Sequence, residues 1–480
     1  MTATAATAAA PRPNIITITT DDQARSTLRT GVMPNLRTRI GSHGTRFRDY
    51  VVTTPLCCPS RSSYLTGQYG HNNGVLRNEY GDLRRKREVL PVWLHRSGYA
   101  TAHVGKFMNG FPGDGGSRLA VAPGWDLWFN HLEKRRYYDW EASRNGKLVR
   151  FGERDRDNAT AVTTRVATRW TSRLARGRKP FYAQVDYYAP HIGPGRDATC
   201  SGAAKPLPAD SHRFRDVGLP RPPSFNQEDV SSMPSFIRDR PQLTARQIRS
   251  ITKHYRCALE SLHGVDRGIG RIFNAVKAAG ELDRTVFLFT SDNGYFYGEH
   301  RILKGKPFPY EENVRTILEM RVPERYRGGP GVVRDSDAPV ANIDLAPTLL
   351  ELAGADPCIS RGRCRTMDGR SLVPLFRGEA FPADRGIAIE GPDCLYDGVR
   401  RNGFTYVEYA TGRADGCRPT EAEMYDLDAD PFQLDDLLPA TAGSPAAERR
   451  DALAAERDRL VICAGIEGRD PPTPGRPYCE

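Results

Sequence analysis

The sequence predicts an α/β protein built on a large, mostly parallel sheet. Three observations carry the prediction. Short apolar runs rich in β-branched and aromatic residues recur at 14–20 (NIITITT), 99–105 (YATAHVG), 180–188 (PFYAQVDYY) and 284–290 (RTVFLFT). Runs of this kind suit strands buried on both faces. Segments of helical periodicity lie between them, at 157–176 and 245–280, and such alternation marks a layered α/β architecture. Two of the runs also lead straight into polar pairs, Asp21-Asp22 and Asp292-Asn293. Open α/β sheets gather their ligands at the carboxyl ends of strands.

Taken in order, residues 1–12 read as a flexible leader. They lack the basic n-region and apolar h-region of a signal peptide. Residues 13–380 form the large domain. Within it, 195–243 is rich in Pro, Ser and charge and reads as a surface excursion of the kind that shapes a binding site. A helix is expected over 342–354. Beyond 380 the pattern changes to short strands, GIAIEG and FTYVEYAT, and a charged helix at 446–460. Residues 381–480 are therefore expected to form a smaller antiparallel α+β domain.

Composition narrows the function classes. No run of about 18 apolar residues occurs, so no transmembrane helix and no stable membrane insertion are expected. The net charge of +11 is spread along the chain, without a basic tail or interleaved aromatics. That pattern argues against nucleic acid as a partner and for a mild attraction to anionic substrates. The chain has ten cysteines, with no metal-type CxxC spacing. Cys358 with Cys364, Cys394 with Cys417, Cys463 with Cys479, and Cys200 with Cys257 suit disulfides of an oxidising compartment. Scattered buried thiols are the alternative.

If the strands ending at Asp21-Asp22 and Asp292-Asn293 are neighbours, three carboxylates and an amide oxygen converge. That donor set suits a hard cation, Ca²⁺ or alternatively Mg²⁺. Taken singly, each acid could instead cap the following helix. Cys57 opens a helix-like segment, CCPSRSSYLTGQYG. A helix N-terminus favours an anion there, so the ordinary expectation is a thiolate of lowered pKa. Arg61 lies one helical turn further on and could reach back to it.

These residues resemble the sulfatase family. Cys57-Cys58-Pro59-Ser60-Arg61 followed by Leu65-Thr66-Gly67 is similar to its C-x-P-S-R…L-T-G signature, with Gln68 where arginine is usual. PNIITITTDDQ (13–23), GYATAHVGK (98–106), YYAPH (187–191), SDNGYFYGEHRILKGKPFPYEENVR (291–315) and EMYDLDADPFQLDDL (423–437) resemble further family motifs, in family order.

The resemblance implies an alkaline-phosphatase-like fold and hydrolysis of sulfate monoesters, of sulfated sugars or aryl sulfates. It implies a Ca²⁺-type ion held by Asp21, Asp22, Asp292 and Asn293. It makes Cys57, oxidised to Cα-formylglycine by a maturation enzyme, the nucleophile. Arg61 would hold the aldehyde hydrate, Lys106 and Lys306 the sulfate oxygens, and His191 the ester oxygen. An extracytoplasmic location accompanies it.

One departure is visible. Lys106 is followed by Phe107, Met108 and Asn109 rather than by the usual G-K-W-H pattern. The segment looks like the glucosamine-6-sulfatase and heparan endosulfatase branch, where Asn109 would contact substrate. No residue is thereby assigned as base for the second step. The sequence reading takes His103, His71, Cys58 and Asp186 as structural, leaves His300 open between pocket and loop support, and ranks Lys306 above Lys304. A formylglycine-dependent phosphodiesterase or phosphonate monoester hydrolase is the alternative activity. A non-catalytic sulfated-glycan-binding protein is the third reading.

Overall fold

The computed structural model describes residues 11–29, 31–132, 136–194, 200–329, 331, 333–360, 363–410 and 417–480. Residues 1–10 of the expected leader lie outside these. A ten-stranded sheet forms the centre. Its strands are β1 (Asn14–Asp21), β2 (Thr45–Phe47), β3 (Ala100–Gly105), β4 (Leu127–His131), β5 (Trp140–Arg144), β6 (Lys147–Phe151), β7 (Phe181–Pro190), β8 (Thr285–Ser291), β9 (Leu318–Arg321) and β10 (Asp335–Ser336). The spatial order is β10-β2-β9-β8-β1-β7-β3-β4-β5-β6. The central run β8-β1-β7-β3-β4 is parallel throughout.

The register explains the site. Thr20 of β1 pairs with Ser291 of β8, while Thr19 of β1 and Gly105 of β3 both pair with Asp186 of β7. Four neighbouring strands therefore end together. The residues that follow them, Asp21-Asp22, Asp292-Asn293, Lys106 and His191, are delivered to one edge.

Side chains of β1 alternate between two cores, as a pleated strand dictates. Ile16 and Ile18 pack with α2 (Ala159–Ala175) and α3 (Ala245–Ala278), whereas Ile15 packs with the layer containing Leu65 and Leu349. That second layer holds α1 (Cys57–Thr66) and the helix Leu345–Ala353. The 34-residue α3 starts at a capping box, Thr244 with Gln247.

The four-stranded antiparallel sheet comprises Ile387–Glu390, Tyr396–Arg401, Phe404–Ala410 and Pro419–Asp426. The helix Pro445–Leu460 packs on it. Its core includes Val51, Tyr69, Val314 and Ile343 from the large unit. His71 acts as a strut between the two: its Nδ1 lies 2.7 Å from Glu390 Oε1 and its Nε2 lies 3.0 Å from the Cys463 carbonyl.

All four expected disulfides form, Cys200–Cys257, Cys358–Cys364, Cys394–Cys417 and Cys463–Cys479, so the alternative of scattered thiols fails for these eight residues. The antiparallel extension β5–β6 is an element the apolar pattern does not announce. Its strands carry Glu141, Arg144, Lys147 and Arg150 along a half-exposed edge.

Candidate active site

The helix that opens with Cys57 is buried along all ten of its residues. Its N-terminus points at the edge where β8, β1, β7 and β3 end. The Asn78 side chain holds its first turn, accepting the Cys58 N–H at 3.0 Å. Gly67, at φ +68°, closes the helix in the left-handed conformation.

Cys57 Sγ sits among charges. Lys306 Nζ lies 2.8 Å from it, Lys106 Nζ 3.2 Å and Asp21 Oδ1 3.3 Å. The expectation of a lowered thiol pKa is wrong. Burial pushes the Cys57 thiol up to about 12 and Asp21 adds to the effect; the two ammonium groups only partly offset this. The helix dipole is a fraction of a charge, whereas Asp21 is a full carboxylate in contact. As a plain thiol, Cys57 is neutral at physiological pH and a poor nucleophile.

The four expected metal ligands converge. Lys106 contacts Asp21 and Lys306 contacts Asp22. The Asp22 N–H donates to Asp292 Oδ1 at 3.1 Å, and Asn293 Nδ2 donates to Asp22 Oδ1 at 2.8 Å. One ligand atom each from Asp21, Asp22, Cys57 and His191 lies within 4.8 Å of the others.

The carboxylates feel one another. Burial raises Asp292 to about 6, with Asp21 adding to the rise. Burial also works upward on Asp21, but Lys106, His191, Lys306 and Arg61 outweigh it and hold that carboxyl well below the usual range. Beside Cys57 and His191, the carboxylates of Asp21, Asp22 and Asp292 and the amide oxygen of Asn293 offer an oxygen donor set that fits a hard divalent cation.

Arg61 does not turn back to Cys57 in the way the helical spacing suggested. Its Nε donates to Asp292 Oδ2 at 2.9 Å and its Nη1 to the Lys106 carbonyl at 2.8 Å. Its Nη2 is buried with no hydrogen-bond partner. Asp186 lies 3.6 Å away and is in turn bonded to His103 Nε2 at 3.0 Å. Asp186 and His103 are thus structural, as expected, and their structural task is to fix Arg61.

His191 stands on the open side, with its side chain 25% exposed. Its ring stacks on Tyr188, 5.0 Å between centroids, and its Nδ1 lies 2.6 Å from the Ile192 carbonyl. That carbonyl can only accept, so Nδ1 carries the proton and Nε2 faces Asp22 Oδ2 at 3.6 Å. Burial holds the His191 pKa below its ordinary value despite Asp21 and Asp22.

Lys306 enters the site, 2.8 Å from Cys57 Sγ, while Lys304 is exposed. His300 is a loop support: it is buried, stacks on Tyr310 at 4.2 Å and lies 3.4 Å from Glu312. Asn109 is held by its backbone. Its N–H donates to Cys58 Sγ at 2.8 Å and its carbonyl accepts from the Tyr80 N–H at 2.8 Å. Sequence reasoning missed Asn78 and Tyr188, and it undervalued Cys58, whose thiol ties the helix Cys57–Thr66 to the loop after Lys106. Helical position alone signals nothing about a thiol that bonds a distant loop.

A family model described as Sulfatase matches residues 13–355. An extracellular sulfatase homologue of Caenorhabditis elegans is 32% identical over 75% of this chain and 49% of its own length. The chain therefore spans about half of that relative. An arylsulfatase of Volvox carteri is 34% identical over 97% of this chain and 77% of its own length. The human N-acetylglucosamine-6-sulfatase is 28% identical over 89% and 81%. Among solved structures, a protein in complex with its substrate D-glucosamine-2-N,6-O-disulfate superposes with a TM-score of 0.71 at 24% identity, covering 93% of this chain and 97% of that one. That likeness supports the fold. The family match, laid over strand ends that converge on a buried cysteine, places this chain in the sulfatase family.

Proposed function

We propose that the protein hydrolyses sulfate monoesters at residue 57, with sulfated sugars as its substrate class. The observation that carries this is the seating of Cys57 Sγ between two ammonium groups, 2.8 and 3.2 Å away, over a carboxylate cluster. Converted to Cα-formylglycine by a maturation enzyme and hydrated by addition of one water to the aldehyde, residue 57 would offer two hydroxyls on one carbon, one to attack sulfur and one to drive release of sulfate and restore the aldehyde. A divalent cation held by Asp21, Asp22, Asp292 and Asn293 would shield the sulfate oxygens.

The chain's own groups supply the rest. Lys106 and Lys306 neutralise sulfate charge as it develops. Arg61, with its free Nη2, orients the hydrated residue 57. His191 serves the ester oxygen through Nε2 in its imidazolium form, since the Ile192 carbonyl keeps the other proton on Nδ1. Asn109 contacts the sugar, a role supported by the branch resemblance of its loop and by the relative named N-acetylglucosamine-6-sulfatase. The proposed domains are 13–380 and 381–480. The proposed location is outside the cytoplasm, supported by four disulfides and by extracellular relatives. No helix among the described residues is long and apolar enough to cross a membrane.

The test is turnover of a nitrophenyl sulfate beside a nitrophenyl phosphodiester by protein co-expressed with a formylglycine-generating enzyme. The expectation is a higher kcat/KM for the sulfate, loss of turnover in Cys57→Ala, and recovery by Ca²⁺ or Mg²⁺ after chelation. Full turnover by Cys57→Ala, or preference for the phosphodiester, overturns the proposal.

A further inference from the structure

At the opposite edge of the sheet, before β8 begins and where β9 ends, lies a cleft of about 520 Å³. A seven-residue strand separates this edge from the catalytic one, roughly 23 Å at the rise of a β-strand. The cleft is lined by His43, Arg321, Arg325, Arg327 and Arg334, against the acids Asp283 and Glu324. A second groove of about 890 Å³ adjoins it through Arg334 and adds Arg29, Arg37 and Arg46.

The charge here is only partly neutralised: Arg46 pairs with Asp335 at 3.3 Å. Arg321, Arg325 and Arg334 form no ion pair among the described residues. Arg321 Nη1 donates to the Arg39 carbonyl at 2.9 Å, and Arg334 bonds the Ser42 carbonyl. Such bonds aim the guanidinium groups without cancelling their charge. Glu319, the acid of the second groove, is raised by burial to about 7 and is partly neutral at physiological pH. His43 reports the resulting field: burial, then Arg321 and Arg334, hold it below its ordinary value. Two arginine-lined clefts that meet at Arg334 present more cationic groups than one small anion needs and match a chain of repeated charges.

We infer that this arginine-lined groove is a second docking surface for a polysulfated polysaccharide, remote from the site that cleaves it. The choice of polysaccharide rests on the proposed sulfatase reading; the choice of a polyanion rests on the groove alone. A long chain would engage both poles and gain effective concentration at the catalytic edge, whereas a monosaccharide sulfate would engage only one.

The experiment uses the full chain on immobilised heparin, a polysulfated polysaccharide, in a sodium chloride gradient. The variants are Arg325→Ala with Arg334→Ala, both exposed, and a control with the same charge loss elsewhere, Arg213→Ala with Arg215→Ala, also exposed. The groove variant should elute at clearly lower salt. The slope of log affinity against log salt should fall by about two, one per lost contact. The control should elute close to the parent protein, and nitrophenyl sulfate turnover should be unchanged in both variants.

Unchanged elution of the groove variant overturns the inference. So does an equal loss in the control, which would mean a general charge effect. Equal binding of duplex DNA, lost in the same variant, would make the groove unselective and also overturn it. If the parent protein turns over no sulfate ester, the functional reading fails while the column still decides the groove.

Discussion

Replacing Gly105 by Ala should dismantle the site while leaving most of the sheet intact. Gly105 ends β3 at φ +123°, a conformation that L side chains rarely adopt. A Cβ built there would stand 1.9 Å from the Asp186 carbonyl oxygen and 2.7 Å from its carbon. The carbonyl would have to retreat by roughly 1.5 Å to reach ordinary contact. It is not free to do so alone. The same oxygen accepts the Lys106 N–H at 2.8 Å, and the Asp186 side chain supports Arg61 and His103.

The backbone strain costs about 1–3 kcal/mol, and forced backbone shifts in a packed core add about 1–3 kcal/mol. A loss of roughly 2–6 kcal/mol is expected, a large share of a typical total stability of about 5–15 kcal/mol. Because Lys106 moves with the carbonyl, a displacement of roughly 1.5 Å should also lower kcat/KM by about 100-fold or more. Urea unfolding measures the first effect and nitrophenyl sulfate kinetics the second, both with Cys57 matured. A Gly105→Ala protein with an unchanged urea midpoint and kcat/KM within about threefold of the parent would refute the reasoning.

Other outcomes follow from the same contacts. Cys58→Ser keeps an acceptor for the Asn109 N–H and should stay near parent stability, whereas Cys58→Ala should cost about 1–3 kcal/mol by leaving that donor unpaired; equal urea midpoints would argue against the thiol tether. His191→Ala should slow an alkyl sulfate about 100-fold or more while affecting nitrophenyl sulfate much less, because only the poor leaving group needs a proton; equal losses on both would remove His191 from that role. Glu423 is buried among the hydroxyls of Tyr310, Tyr409 and Tyr425, and burial raises it to about 8 from 4.5. The folded state therefore holds a proton that the unfolded chain releases. Its contribution is complete below about pH 4.5 and is lost as pH rises toward 8, so the urea midpoint of Glu423→Gln should fall less between pH 5 and pH 8 than that of the parent. Plain thiol Cys57, buried and raised to about 12, should resist iodoacetamide in the folded, unmatured protein and react on unfolding; rapid labelling of the folded form would contradict its burial.

The sequence by itself determined the fold class, because strands buried on both faces must be written as unbroken apolar runs, and NIITITT and TVFLFT are such runs. It also named the residues that the fold brings together at one sheet edge. Asp21-Asp22 and Asp292-Asn293 each follow a strand, and a parallel sheet has only one edge at which strand ends can meet. Three disulfides were legible from short spacing, since sulfur atoms near in sequence are near in space, whereas Cys200–Cys257 closes a separation of 57 residues that only the fold brings together. β5 and β6 were not legible, because a half-exposed, charged edge carries little apolar periodicity.

Tertiary structure decided what the groups do to one another. The Cys57 thiol is raised, not lowered, because complete burial and the Asp21 carboxylate at 3.3 Å outweigh a helix dipole. Arg61 turns to Asp292 because that carboxylate, 231 residues away, lies 2.9 Å from its Nε. Cys58 becomes a tether for the Asn109 loop through a contact spanning 51 residues. Dielectric, contact and charge balance are properties of three-dimensional neighbours, and a linear pattern records which residues are present without recording which of them share a few ångströms of dry space.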